Sequence, residues 1–310
     1  MEPIKRALQG VTTRPDFQKR LEEMKNKVLS DKGVQEFLKN HQSEVDRTMI
    51  DRSLNKLFEY TQQSKACHDC PGLKECKNLI QGYYPKLMLN GKTIDVQYDI
   101  CPEKRRYDEL ERQRSLIKSI YIPRDLLDAT LADIDGDDQS RLKVIQLVTE
   151  FFHTYHETGK GKGIYLHGKF GVGKTFMLAA IANELAANDH SSVLVYVPEF
   201  VRELKNAIHD QSLEVKLDMV KSTPVLMLDD IGAESMSSWV RDEVLGTILQ
   251  HRMSLQLPTF FSSNFSPDDL KHHFTYSQRG EKEDVKAARL MERVLHLATP
   301  VRLDGNNRRK

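Results

Sequence analysis

One stretch carries the strongest chemical signal: Gly168-Lys169-Phe170-Gly171-Val172-Gly173-Lys174-Thr175. It fits the pattern G-x-x-x-x-G-K-[ST], in which glycines let main-chain amides curl around phosphate oxygens. A helix N-terminus behind such a loop adds partial positive charge. Lys174 is expected to reach the β- and γ-phosphates of ATP, and the Thr175 hydroxyl to bind Mg²⁺. The bland alternative is a glycine-rich turn with a surface lysine. The flanks argue against it, because residues 163–167 read as a short strand and 176–185 as an apolar helix.

Val225-Leu226-Met227-Leu228-Asp229-Asp230 is the expected partner. Its apolar residues make a buried strand, and two carboxylates stand at the C-terminal end, the edge where open α/β sheets bind ligands. Asp229 is expected to hold Mg²⁺, and Asp230 to orient or deprotonate the attacking water. Read alone, such a run also suits a strand meeting a helix N-cap. Thr259-Phe260-Phe261-Ser262-Ser263-Asn264 ends a further strand on a polar residue. Asn264 suits contact with the γ-phosphate or its water, or a simple turn before Ser266-Pro267.

Four cysteines, Cys67, Cys70, Cys76 and Cys101, form the second cluster. Thiolates are soft ligands, and four of them suit tetrahedral Zn²⁺. His68 is a reserve ligand, and reduced thiols without metal are the alternative. A structural zinc would compensate for a small core.

These residues need elements to position them. Strand-like runs at 163–167, 193–197, 225–228, 259–262 and 297–302 alternate with helical stretches. That alternation predicts an α/β domain whose parallel sheet is covered by helices on both faces, a three-layer αβα arrangement. Upstream, Phe17, Leu21, Met24 and Val28 recur at helical spacing. Ser43-Glu44-Val45-Asp46 has the form of a capping box opening a long helix through Phe58. Asn90-Gly91 between apolar runs predicts a hairpin with a type I′ turn. Residues 103–118 are highly charged and read as helical. The division is therefore a small, mainly helical zinc-binding domain at 1–106, a linker at 107–135 and an ATPase domain at 136–310.

The chain has 310 residues, 39% of them hydrophobic and 29% charged, which suits two ordinary globular domains. A formal net charge of +1 excludes a DNA-coating protein but not a local basic patch. No apolar run approaches the ~18 residues of a membrane span. The opening residues lack an apolar core for a signal peptide. A cytoplasmic location is expected, which also favours a metal over disulfides for clustered thiols.

The order of these elements resembles the bacterial helicase-loader branch of the AAA+ ATPases, the branch that includes DnaC and the transposition ATPase IstB. The stretches that carry it are residues 168–175, Leu228-Asp229-Asp230-Ile231-Gly232, Ser262-Ser263-Asn264, Ala288-Arg289-Leu290-Met291-Glu292-Arg293 and Ile122-Pro123-Arg124. The cysteine-bearing half looks like the loaders of Gram-positive bacteria. In those domains a histidine can replace one ligand; Tyr83-Tyr84 stands here instead, which points to Cys76.

The resemblance implies a sensor role for Asn264 and a trans role for Arg289 and Arg293, inserted into a neighbouring subunit's ATP site. A solvated helix face is the alternative for that pair. Arg308 or Arg309 at the C-terminal end is implied as a second sensor, although the spacing departs from the family's ending. The insertion 198–222 is implied to bind single-stranded DNA through aromatic stacking and the cations Arg202 and Lys205, or else to be a packed helix pair with Phe200, Val201, Leu204 and Ile208 inward. The implied partners are a DnaB-type hexameric replicative helicase, other primosome proteins and further copies of the chain. Asp230 stands where many AAA+ proteins carry Glu, which implies slow ATP turnover. An IstB-like transposition ATPase on DNA is the alternative function, and a nucleotide-binding scaffold with negligible hydrolysis is a third.

Overall fold

In the computed structural model, residues 15–308 are described apart from 66, 68–69, 122–125, 127–128, 135–137, 208–211, 235 and 277–281, and of Pro15 and Phe17 only the backbone is described. His68, Ile122-Pro123-Arg124, Ile208 and Arg309, singled out above, lie outside the described residues. The chain divides into two compact units, Met1–Leu110 and Glu111–Lys310, and the division falls inside the helix Pro102–Leu116.

The first unit is small. Helices Pro15–Leu29, Lys32–Asn40, Arg47–Arg52 and Leu54–Thr61 precede a hairpin of β1 (Tyr83–Asn90) and β2 (Thr93–Ile100). Its core gathers Val28, Val34, Leu54, Leu57, Tyr60, Leu87 and Ile94. The long helix expected after Ser43 is instead two helices. Asp46 is the cap, its carboxylate accepting from the Met49 amide at 2.7 Å. The break falls at Ser53, whose hydroxyl accepts the Ile94 amide at 2.7 Å and so ties the helices to the hairpin. A buried cross-link of this kind outweighs helix continuation, because it satisfies an amide that has no water.

The hairpin forms where expected, but its turn is shifted by one residue. Asn90 pairs with Thr93, so Gly91 and Lys92 are the turn residues. Of these, Gly91 has positive φ, 57°, and Lys92 does not. That is the pattern of a II′ turn, which needs glycine only first, rather than the expected I′ turn.

The second unit is built on a six-stranded parallel sheet in the order β3-β5-β6-β7-β4-β8. The strands are β3 (Ile117–Ile120), β4 (Gly163–His167), β5 (Ser192–Tyr196), β6 (Val225–Asp229), β7 (Thr259–Ser263) and β8 (Ala298–Arg302). Each central strand sends alternate side chains to opposite faces. Ile164, Leu166, Leu194, Met227 and Phe260 pack under the helices Gln139–Thr158 and Lys174–Ala187. Tyr165, Val195, Leu226, Leu228 and Phe261 meet the helices on the other face. The expected three-layer α/β arrangement is therefore present.

Part of the stretch expected as a linker is built into this sheet: β3 pairs with β5 at the edge. Its sequence, Ile-Lys-Ser-Ile, is too short and mixed to stand out beside a charged helix. Among the described residues, no helix is long and apolar enough to cross a membrane.

Candidate nucleotide site

The phosphate loop leaves the C-terminal end of β4, which lies between β7 and β8, the strand edge where ligands bind in such sheets. All three loop glycines have positive φ, and Gly168 is also confined by main chain. Gly168 has φ +154°, and a Cβ there would lie 2.2 Å from the Leu303 carbonyl oxygen. Gly171 has φ +80°, and a Cβ would lie 1.9 Å from Asn307 Oδ1. The chain after β8 is what fills that space. Leu303 N donates to His167 O at 2.7 Å, and Arg308 N donates to Gly171 O at 2.9 Å.

Lys174 and Thr175 open the helix Lys174–Ala187, which is buried along most of its length and so holds them rigidly. The Lys174 ammonium donates to Gly168 O at 2.9 Å, Lys169 O at 2.9 Å and Asn264 Oδ1 at 2.8 Å. The Asn264 amide in turn donates to Asp230 Oδ1 at 2.7 Å. Asn264 thus bridges the loop lysine and the second strand-end carboxylate. Thr175 Oγ1 lies 3.0 Å from both oxygens of Asp229. The Ser262 hydroxyl also donates to Asp229. Burial pushes the Asp229 carboxyl above the usual carboxylate range, opposed by the Ser262 and Thr175 hydrogen bonds.

A hydroxyl and a carboxylate converging on one point are hard oxygen donors of the kind Mg²⁺ takes. The residues present therefore fit that ion, and Thr175 and Asp229 are the ones that would hold it.

These groups line one cavity of about 980 Å³. Lys174, Thr175, Asp229, Asp230 and Asn264 meet in it, together with Phe170, Gly171 and Gly173 of the loop. Arg308 lines it as well. Sequence reasoning missed Tyr121, Leu126, Arg141 and Tyr196 in the same wall. Arg141 is buried and donates to Val172 O at 2.9 Å. Tyr196 had a usable signal, since it ends β5 at the same sheet edge as Asp229. Arg141 and Tyr121 are brought in by folding alone.

Arg289 and Arg293 do not line this cavity. They border a separate one of about 250 Å³ with Arg241, Asp242 and Lys286, and Arg293 donates to Gly246 O at 2.8 Å. The insertion forms the helices Val197–Asn206 and Ser212–Ser222. Phe200, Val201 and Leu204 are core residues, which fits the packed helix pair, the second of the two readings of this insertion. Burial of an apolar helix face wins over exposure of that ring.

In the first unit the four cysteines are free thiols. Burial raises the Cys67 thiol pKa, and the neighbouring thiols of Cys101, Cys70 and Cys76 raise it further. The Gly82 amide points to Cys76 Sγ at 3.4 Å and the Lys104 amide to Cys101 Sγ at 3.4 Å. Among the described residues, no group of three or more His, Cys, Asp or Glu is arranged to hold a metal. Cys67 stands between residues 66 and 68–69, which lie outside the described set.

Comparison with known proteins narrows the reading. The replicative helicase loader DnaI of Bacillus subtilis (strain 168) is 68% identical over 309 residues, covering 100% of this chain and 99% of that protein. The chain belongs to the DnaI family of replicative helicase loaders. The family described as the primosomal protein DnaI N-terminus matches residues 1–98, and that of the bacterial DnaA ATPase domain matches residues 142–275. A crystal structure of DnaI is 56% identical with a TM-score of 0.57, covering 64% of this chain and 100% of that one. The crystal structure of the DnaC helicase loader, 20% identical with a TM-score of 0.50 over 59% of this chain and 100% of that one, shares the fold. Full-length similarity to a DnaI loader does not favour the IstB-like alternative.

Proposed function

We propose that this DnaI-family chain is an ATP-hydrolysing loader that delivers a DnaB-type hexameric replicative helicase onto single-stranded DNA. The carrying observation is the chain Lys174–Asn264–Asp230 beside the Thr175–Asp229 pair. Lys174 and the loop amides would hold the phosphates. Bound Mg²⁺ would neutralise charge that develops on the transferred group. Asp230 would orient or deprotonate the attacking water, with Asn264 fixing its carboxylate. Arg308 would face the phosphates from the cavity wall.

Arg289 and Arg293 would act in trans, in a neighbouring copy's site, since their own cavity is a different one. A permanently charged planar guanidinium suits that task. The residues 1–106 are assigned to helicase contact and 136–310 to ATP. Arg202 and Lys205 would meet DNA phosphates without help from Phe200. Zn²⁺ on Cys67, Cys70, Cys76 and Cys101 is supported by four soft donors near one another and by amides directed at two of the sulfurs.

The test is a reconstituted loading assay with full-length chain, helicase and circular single-stranded DNA. Loading should require ATP and Mg²⁺ and fail with Lys174→Ala. Equal loading without nucleotide would remove the ATP-driven step.

A further inference from the structure

We propose that Glu234 is a positioning residue for ATP hydrolysis: its buried side chain holds the turn after β6 in the one shape that aims Asp230 at Asn264. The proposal rests on the ATPase reading given above.

Asp230 adopts φ +59°, left-handed for a residue with a Cβ. Such a conformation is strained for a residue with a Cβ and persists only where the surroundings fix it. Several contacts do so. Asp230 N donates to Ser262 Oγ at 2.9 Å, Ile231 N to Ser262 O at 2.9 Å, and Ser263 Oγ to Ile231 O at 2.6 Å. Ala233 N donates back to Asp230 O at 3.2 Å and closes the turn. Gly232, at φ +94°, lies so close to Leu270 and Phe265 that a Cβ would sit 2.7 Å from the first and 2.9 Å from the second.

The remaining amide of that turn, Gly232 N, points inward. Glu234 Oε2 accepts it at 2.8 Å. A carboxyl group that is 5% exposed is an expensive way to satisfy one amide. Its other oxygen, Oε1, has no hydrogen-bond partner among the described residues. The groups facing it are Asp230 on its own turn, Lys205 on the helix Val197–Asn206, and His273 on the helix Pro267–Thr275, which contacts the Glu234 main chain. Burial pushes its pKa up to about 7, and Asp230 adds to that. In its neutral form the side chain keeps its acceptor for Gly232 without repelling Asp230. A side chain kept here against that cost is explained by what it holds in place.

The test compares Glu234→Gln, Glu234→Asp and Glu234→Ala with wild type in the full chain, measuring kcat, KM for ATP and amide exchange at Gly232. Glutamine keeps an acceptor at the right reach, so kcat stays near wild type. Aspartate falls one methylene short, and alanine has no acceptor. Both should lower kcat at least ~10-fold while KM moves less than about twofold. Should the alanine variant fail to fold, aspartate carries the comparison. Wild-type kcat in the aspartate variant, or equal losses in aspartate and glutamine, would overturn the proposal. If wild type itself hydrolyses no ATP, the ATPase reading fails and amide exchange decides on Glu234. Faster Gly232 exchange in aspartate but not in glutamine upholds its hold on the turn, and equal protection in all variants refutes it.

Discussion

The phosphate cradle and the cysteine region both gather ligating groups from distant positions, but they are held in different ways. The cradle hangs on strand ends of a buried sheet, and its donors are fixed by main chain, by Asn264 and by the tail after β8. The cysteines sit on short loops beside a core of a few side chains. One site is shaped by the chain before anything binds. On the zinc proposal the other would depend on its metal to bring it together, because so small a core contributes little on its own.

The largest expected effect tests the cradle. Lys174→Ala should reduce ATP turnover by at least ~100-fold, because it removes charge stabilisation on the transferred phosphoryl group. Steady-state phosphate release measures it, and near-normal turnover would end the site assignment. Next in size is metal removal. About one Zn per chain is expected by elemental analysis. Stripping it, or Cys101→Ser, should abolish the cooperative thermal transition of the first unit while that of the second persists. A metal-free protein with an unchanged transition would erase the contrast between the two sites.

Gly168→Ala is smaller and sharpens the comparison. Its Cβ would meet a main-chain oxygen that cannot swing aside. A stability loss of about 1–3 kcal/mol is expected from overpacking and strain, read by chemical denaturation of the second unit. The smallest effect is pH-dependent. Glu234 binds its proton more tightly folded than unfolded, so its contribution is full below the unfolded pKa and is lost as pH rises through about 7. At most about 3 kcal/mol is at stake, and Glu234→Gln should flatten that part of the stability curve.

Legibility in the sequence follows the same division. The loop 168–175 is readable because phosphate binding by amides demands glycine at set places, and the positive φ of Gly168, Gly171 and Gly173 fits that demand. The central strands were readable as apolar runs because both their faces are buried. What escaped was set by tertiary contact. Ser53 breaks a helix because Ile94 lies across from it. Arg141 and Tyr121 reach the cavity from segments with no local pattern, and β3 is a strand because β5 offers it an edge. For Phe200 the sequence leaves stacking and packing open, and only its burial against the sheet decides between them.

The segment after β8 has a practical consequence at the bench. With Leu303 bonded to His167 at the end of β4 and Arg308 to Gly171 of the loop, any affinity handle or fluorophore attached just after Arg308 starts from the wall of the candidate nucleotide cavity. Nucleotide affinities measured on such fusions would report the handle as well as the protein.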